Sequence, residues 1–533
     1  MMASTFASRF AERVLWRPGL DDAVTAGLCR FFFPLSRAWA AALAAPDAAH
    51  AAATLGLDRV PGSLTRALPL LHRRLDGYRA ATGTFRTALF AGGTGRDVFT
   101  AAGNWESAAF SLVRGHSALT TVPLLNRYPA IRWEIATVEA VEARHGGRRA
   151  DPAGAFALPQ PRPQIDVSAT ITRNGRAERW MRMISPVLGD EIWAHVYEPA
   201  TPGIRPTIVY CDGLFIESEL RADPRDCLAL LVASGFRVVR FEAPWHGRRR
   251  PDGWFGGEPV LGRAPLSLLD FFHAAPIEAG LWIAKTREIF GGPVALGGVS
   301  LGALVAETAA AAASSWPAEN VPDGLFLVTP AGDLPRVALE GSLTTRLGFD
   351  RALAAAGWDE ARLRDWLSLV APEMPCAVPG ERIVAVLGEA DSLTHYDDAT
   401  ALLHRWGAPE ENLFHGRQGH FTANLRLTAA PSTACGRCWK RGAPCAPRPT
   451  PPRRRAPSPP SRRESPGGCR PRPACRRARR AAAATGRRRA WCASPPPSTG
   501  ARPRRRCRCR HAPARSGRTG ASTGSAVPRC RPC

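Results

Sequence analysis

The chain has 533 residues, a length that suits two or three domains, and a formal net charge of +25 from 71 Lys and Arg against 46 Asp and Glu. This charge is concentrated in one segment, because residues 428–533 hold 28 of the basic residues and a single acid, Glu464. Residues 1–427 carry 43 basic and 45 acidic side chains and are nearly neutral. Their composition therefore excludes the broad basic surface of a nucleic-acid-binding body.

Cysteine usage and the start of the chain bear on the compartment. Ten of the 14 cysteines follow residue 428, and the rest are widely separated, which indicates free thiols in a reducing compartment. Residues 1–19 lack the apolar core of a secretory signal, and the apolar segment 29–45 contains too much charge to span a membrane. We therefore expect a cytoplasmic protein without a membrane span. The separated cysteines are Cys29, Cys211, Cys227 and Cys376.

Residues 1–160 are predicted to form a helical leader or cap domain, because apolar residues recur at helical spacing among many alanines. The histidines of this segment are isolated, and we interpret them as surface or core residues. The stretch 147–163 is rich in Gly, Pro, Ala and Arg and predicts a domain boundary. The predicted helices are 6–15, 22–44, 64–81, 104–125 and 131–144; the isolated histidines are His50, His72, His116 and His145.

From residue 165 the apolar period changes to two, which predicts antiparallel strands over 165–171, 180–184 and 192–197. Apolar strands then alternate with helices, which predicts a parallel sheet covered on both faces. Active groups in such sheets lie at the carboxyl ends of strands. The later predicted strands are 207–211, 236–241, 294–296, 324–328, 383–387 and 412–415; the helices are 227–234, 268–290 (broken or kinked at Pro276), 301–313 and 399–406, with a helical insertion at about 339–370.

One pentapeptide, Gly298-Val299-Ser300-Leu301-Gly302, lies between a predicted strand and a predicted helix. A serine on such a sharp turn has strained backbone angles and crowded neighbours, and glycines two residues before and after it remove colliding side chains. The turn would present the hydroxyl at the sheet edge and leave the Leu301 N–H unpaired for an oxyanion. The alternative is a glycine-rich strand–helix corner without chemistry.

Four further motifs follow the other predicted strands: Asp212-Gly213, Pro244-x-His246-Gly247, Gly388-x-x-Asp391 and Gly419-His420. In this order, over about residues 175–427, the chain resembles the α/β-hydrolase superfamily. With its helical leader it also resembles the α/β-hydrolase domain-containing 18-like group. It departs from the superfamily's common His-Gly at Asp212-Gly213, in the predicted oxyanion loop. The resemblance implies an α/β-hydrolase fold over residues 165–427.

The nucleophile needs a base and an orienting acid. His420 follows the last strand, where a base must reach over Ser300, and we assign it that role. Asp391 directly follows an apolar strand and is the candidate acid, with Asp333 as the alternative. The order Ser300, Asp391, His420 matches the nucleophile–acid–base order of this fold. The other residues weighed are His395, His404 and His415 as bases, and Asp397 and Asp398 as acids.

The sequence thus predicts a serine hydrolase that cleaves a carboxylic ester, thioester or amide through an acyl-enzyme. The backbone N–H groups of Leu301 and Leu214 would stabilise the oxyanion, and His246 is interpreted as a structural residue of a turn. A small acyl compound is the expected substrate, and no cofactor or metal is expected. The alternatives are a catalytically inactive hydrolase-like binding protein with an accidental triad, and an acyltransferase on the same fold.

Residues 428–533 lack Leu, Ile, Met, Phe and Tyr, so they cannot bury a core and are expected to be disordered. Arginine-rich disorder binds phosphate backbones, yet the aromatic residues that stack on bases are nearly absent. Cys435-x-x-Cys438 and Cys530-x-x-Cys533 have zinc-ligand spacing without an apolar framework between them. We favour a third interpretation, a GC-rich coding sequence translated out of frame, over nucleic-acid binding or a zinc module.

Overall fold

The computed structural model describes residues 19–152, 154–173, 175–215, 227–371 and 375–423. All of these lie in the first of the two units into which the chain divides, Met1–Pro452, whereas the second is Arg453–Cys533. The predicted helix 6–15 and every prediction made for the tail after residue 427 fall outside the described residues. The division of the first unit into a leader and a catalytic domain stays a prediction.

The described part of the chain begins with helices and continues as alternating strands and helices. A π-helical turn, Leu28–Phe32, joins the first two helices. The helices are α1 (Gly19–Gly27), α2 (Phe33–Ala44), α3 (Ala48–Thr54), α4 (Gly62–Phe90), α5 (Gly95–Arg114), α6 (Thr121–Leu125), α7 (Val138–Ala150), α8 (Cys227–Ala233), α9 (Glu258–Gly262), α10 (Leu266–Phe290), α11 (Leu301–Ala312), α12 (Leu334–Glu340), α13 (Ser342–Leu347), α14 (Phe349–Ala355), α15 (Glu360–Leu367) and α16 (Tyr396–Arg405).

The described strands form one ten-stranded mixed sheet in the order β1-β3-β4-β6-β5-β7-β8-β9-β10, with β2 paired to β3. Pairing is antiparallel from β1 to β6 and parallel from β6 to β10. This is the strand order of an α/β-hydrolase fold, so the predicted fold class is confirmed. The strands are β1 (Asp166–Val167), β2 (Ile171–Arg173), β3 (Arg176–Ile184), β4 (Glu191–Pro199), β5 (Thr207–Cys211), β6 (Arg237–Phe241), β7 (Val294–Val299), β8 (Leu325–Val328), β9 (Ile383–Gly388) and β10 (Leu413–Gly416).

The order in which successive strands are added to the sheet reverses at β5. This strand pairs in parallel with β6 on one side and with β7 on the other. In this register Cys211 lies opposite Phe241 and opposite Gly298. Residues that follow β5 and β7 therefore meet at one edge of the sheet, the position at which open α/β sheets bind ligands.

Both faces of the sheet are covered. The larger core lies between one face and helices such as α10 and α11, and includes Trp282, which is fully buried. A smaller core lies under α8 on the other face. The helical leader has its own core, which reaches Trp180 and Trp193 of the first long strands. The leader is thus packed directly on the antiparallel end of the sheet.

Several predicted elements differ from the structure in their bounds; the helix predicted over 104–125, for example, is divided into α5 and α6. Helix α10 continues through Pro276 without a break, because the residues around Pro276 are buried on all sides and their packing outweighs the local cost of about 3 kcal/mol. The helix predicted from residue 131 begins at Val138. The preceding segment is extended, since the amides of Glu134 and Ala136 donate to carbonyl groups beside α9. No helix in the described residues is both long and apolar enough to cross a membrane.

Candidate active site

Ser300 lies on the sharp turn between β7 and α11 and adopts φ 55° and ψ −118°. This conformation is rarely populated by residues other than glycine and costs on the order of 1–3 kcal/mol. Two backbone bonds hold it: the Ser300 N–H donates to the Val328 carbonyl (2.9 Å), and the Ser300 carbonyl accepts from the Leu304 N–H (3.1 Å). The neighbouring strand and the new helix together impose the strained turn.

The flanking glycines are required by close backbone contacts. A Cβ on Gly298 would lie 2.2 Å from the carbonyl of Gly302, and a Cβ on Gly302 would lie 2.1 Å from the carbonyl oxygen of Cys211. Real Cβ atoms do not approach a backbone this closely. The first turn of α11 therefore sits against the end of β5, and any side chain at position 302 would push it away.

The hydroxyl of Ser300 contacts a histidine that follows the last strand. His420 is 7% exposed, and its Nε2 lies 2.9 Å from Ser300 Oγ. Its Nδ1 lies 2.8 Å from Oδ2 of Asp391. With the proton on Nδ1, the ring donates to the carboxylate and accepts from the serine hydroxyl. The structure therefore brings together the three side chains that the sequence analysis grouped.

Asp391 is held by its own loop. Its Oδ1 accepts from the backbone N–H groups of Leu393 (2.9 Å) and Thr394 (3.0 Å), and its Oδ2 accepts from the Thr394 hydroxyl (2.8 Å). Burial alone would raise the pKa of this carboxyl, but the charge of His420 and these hydrogen bonds outweigh burial and hold the pKa below its usual value. The carboxylate is thus ionised and fixed in orientation.

Among the alternative residues weighed from the sequence, His404, His415 and Asp333 have other partners. His404 and His415 both lie against Glu410, at 3.4 and 2.9 Å. Asp333 caps α12 by accepting from the Arg336 N–H (2.9 Å). Asp397 and Asp398 lie in the first turn of α16. His395 precedes that helix with φ 60°.

Leu214 and Leu301, the predicted oxyanion donors, follow β5 and β7. Within the described ranges, the backbone N–H of neither residue has a hydrogen-bond partner. The loop has Asp212-Gly213 where a His-Gly pair is common. Asp212 forms a bidentate ion pair with Arg240 (2.7 and 2.8 Å). The carboxylate thereby ties the start of the loop to β6.

His246 contacts the same loop. Its Nδ1–H donates to the Pro244 carbonyl (2.9 Å), and its Nε2 accepts from the Phe215 N–H (3.2 Å). The first bond fits the turn residue interpreted from the sequence; the second, which sequence analysis missed, fixes the residue after Leu214. Gly257 packs directly against the bond between His246 and Phe215, because a Cβ there would lie 2.5 Å from His246 Nε2. His246 thus sets the position of the predicted oxyanion loop.

An apolar cluster lies beside these groups and combines residues from several distant parts of the chain. Phe33 of the leader packs on Phe215, with ring centroids 4.5 Å apart, and Phe215 packs on Phe255 at 5.5 Å. Leu393 and Phe421, which follow Asp391 and His420, belong to the same cluster. Such surroundings exclude water and strengthen the hydrogen bonds of the polar groups. In the described part of the chain, no group of three or more His, Cys, Asp or Glu side chains could hold a metal ion.

Comparison with known proteins finds no matching family model and no matching curated protein. Similar solved structures include an acetyl xylan esterase from Thermoanaerobacterium (13% identity over 54% of this chain and 94% of that chain, TM-score 0.40). They also include a brefeldin A esterase described as a bacterial homologue of human hormone-sensitive lipase (21%, 57% and 82%, TM-score 0.33). A third is an S-formylglutathione hydrolase from Agrobacterium tumefaciens (17%, 49% and 95%, TM-score 0.33). None of these findings supports the narrower resemblance to the α/β-hydrolase domain-containing 18-like group.

Proposed function

We propose that the protein is a serine hydrolase that cleaves a carboxylic ester, or a related thioester or amide, through Ser300, His420 and Asp391. The observation that carries this proposal is the continuous chain of hydrogen bonds from Ser300 Oγ to His420 (2.9 Å) and from His420 to Asp391 (2.8 Å). These hydrogen bonds lie at the carboxyl ends of parallel strands, and the serine lies on a strained turn. Both features support the same conclusion.

In the first half of the reaction, His420 Nε2 takes the proton of Ser300 as Oγ attacks the acyl carbonyl carbon. A serine hydroxyl is a poor nucleophile at neutral pH without such a base. Asp391 accepts from Nδ1–H, which keeps Nε2 available for the proton and stabilises the imidazolium that forms. The product of this step is a tetrahedral intermediate bonded to Ser300.

The negative oxygen of this intermediate is placed against the N–H groups of Leu301 and Leu214. Each such donor typically stabilises the transition state by about 3 kcal/mol. His420 then gives its proton to the leaving oxygen, sulfur or nitrogen, and the acyl group stays on Ser300. Water, deprotonated by His420, then attacks the acyl carbonyl carbon. As the bond to Oγ breaks and the acid leaves, His420 returns that proton to Oγ, which restores the serine.

The test is turnover of short-chain nitrophenyl esters, together with labelling by a fluorophosphonate probe. Ser300→Ala should lower kcat/KM by a factor of about 10³ or more, because the nucleophile is absent, and should abolish labelling. Ser314→Ala is the matched control, since Ser314 is exposed near the far end of the same helical stretch, and it should behave as wild type.

Labelling that persists in Ser300→Ala would contradict the proposal. A wild-type protein that neither turns over esters nor takes the label would instead support a hydrolase-like binding protein. For a protein that is active on these esters, a panel of acyl chain lengths would identify the substrate class. A panel of acceptors other than water would separate hydrolysis from acyl transfer.

A further inference from the structure

One residue of the helical leader contacts the segment that carries His420. Asp21, in α1, accepts from the Phe421 N–H through Oδ2 (3.0 Å) and from the Thr422 N–H through Oδ1 (3.1 Å). The fit is tight, because a Cβ on Gly419 would lie 2.1 Å from the same Oδ2. Both carboxylate oxygens of Asp21 are thus used by amides directly after His420.

These amides need an outside acceptor. A helical turn begins at His420, and the first N–H groups of such a turn have no partner within it. The Gly419 N–H donates to the Thr422 hydroxyl (3.0 Å), but in the described residues the amides of Phe421 and Thr422 have only Asp21 as acceptor. The backbone that carries the imidazole is therefore fixed from the leader.

We propose that Asp21 is a positioning residue of the active site, which holds residues 420–422 so that the imidazole reaches Ser300 and Asp391 together. The inference rests on the proposed function. His420 must satisfy two partners at 2.9 and 2.8 Å on opposite sides of its ring. A displacement of about 1 Å in such an arrangement can lower the rate by about 100-fold.

The position of Asp21 is itself determined by the leader's packing. The Thr25 hydroxyl, which is buried, donates to the Asp21 carbonyl (2.8 Å). The neighbouring pair of Asp22 with Arg346 (3.2 Å) is exposed and adds little to this anchoring. Leu28 and Phe33 then join the apolar cluster beside the site. Helix α1 is anchored around Asp21, so the carboxylate is held in place before it binds the amides.

The kinetic test compares Asp21→Ala and Asp21→Asn with Asp22→Ala in the full chain. Asp22 is the matched control, since it is adjacent and acidic but its side chain is 67% exposed and does not contact the histidine segment. Asp21→Ala should lower kcat by about 10- to 100-fold with KM within about twofold, because the base is displaced while the substrate pocket remains. Asp21→Asn keeps one acceptor oxygen and should show a smaller loss, and Asp22→Ala should stay within about twofold of wild type.

A second measurement does not depend on catalysis. Hydrogen exchange at the amides of Phe421 and Thr422 should accelerate by at least about tenfold in Asp21→Ala, with exchange at residues 296–304 and the melting temperature close to those of Asp22→Ala. Unchanged exchange at these two amides, or an unchanged kcat, would overturn the inference. Faster exchange over the whole chain with a lower melting temperature would also overturn it, since Asp21 would then stabilise the fold in general. If Ser300→Ala were fully active, the proposed function would be wrong. The exchange measurement would still show whether Asp21 holds the amides of Phe421 and Thr422, so the two failures can be distinguished.

Discussion

The serine turn (residues 298–302) and the histidine loop (residues 418–423) meet in one hydrogen bond but are held in different ways. The serine turn is fixed by backbone packing, since Gly298 and Gly302 allow main-chain atoms to touch where side chains would collide. The histidine loop has one backbone bond to the segment after β9, from the Ala390 N–H to the Gln418 carbonyl (3.0 Å), but its catalytic end depends on side chains from elsewhere. Asp391 and Thr394 orient the imidazole, and Asp21 binds the amides that follow it.

This difference has a mechanical consequence. Backbone packing is rigid, so damage to the serine turn disturbs the fold itself. Side-chain contacts can be lost one at a time, so damage to the histidine loop lowers activity while leaving most of the structure intact. Substitutions in the two regions should therefore separate stability from catalysis.

The largest expected effect is on activity, from the carboxylate that orients the imidazole of the histidine loop. Asp391→Asn should lower kcat by about 10⁴-fold, equivalent to about 5.5 kcal/mol, because the amide favours the wrong imidazole tautomer and cannot stabilise the imidazolium. Steady-state ester hydrolysis measures the effect, and fluorophosphonate labelling should slow in parallel. Asp333→Asn is the matched control at the alternative acid, where activity should change less than about twofold. A larger loss at Asp333 than at Asp391 would reverse the assignment.

The next effect is on stability, from the serine turn. Gly302→Ala should lower the free energy of unfolding by about 3 kcal/mol or more, because its Cβ would meet backbone atoms that cannot move independently. Denaturant unfolding measures it. Gly103→Ala is the control, since its Cβ would meet nothing within 4 Å on an exposed part of α5, and it should stabilise the protein by about 0.5–1 kcal/mol. Equal stability of the two variants would mean that the turn is not held by close backbone contact.

The smallest effect tests one side-chain contact that supports the carboxylate beside the histidine loop. Thr394→Val removes the hydroxyl that donates to Asp391 Oδ2 at nearly unchanged volume and should lower kcat by about tenfold, or about 1.4 kcal/mol. Thr394→Ser keeps the donor and should remain within about twofold of wild type. A comparison of kcat and melting temperature for the two variants checks it. If Thr394→Ser lost as much activity as Thr394→Val, the missing methyl group and not the hydrogen bond would be responsible.

The same contrast explains what could be predicted from the sequence. The serine turn is encoded within five residues, and Asp391 and His420 each follow an apolar strand, so local patterns were enough to group them. The structure brings these groups within hydrogen-bond distance, while their catalytic roles stay predictions. Thr394 could have been found, since Asp-x-x-Thr places a hydroxyl back on the carboxylate through a short turn.

Contacts between distant parts of the chain left no comparable signal. The bond from the Phe215 amide to His246 joins two separate loops. Asp21 lies in the leader, where the sequence predicts a helix and nothing more. Helix α7 begins later than predicted for a similar reason, because the preceding amides bind carbonyl groups beside α9. Helix propensity and apolar periodicity describe neighbours along the chain. They do not show which distant groups will accept hydrogen bonds from a given backbone amide.

Asp21 and Phe421 are 400 positions apart in sequence and in hydrogen-bond contact, which fixes when during synthesis the site can form. The ribosome completes Ser300 long before it completes residue 420, and the growing polypeptide carries a hydroxyl without a proton acceptor throughout that interval. By the proposed mechanism, translation products that stop short of position 420 are inert towards esters. The site becomes competent in a single late event, when newly made residues bind a helix that was made 400 residues earlier.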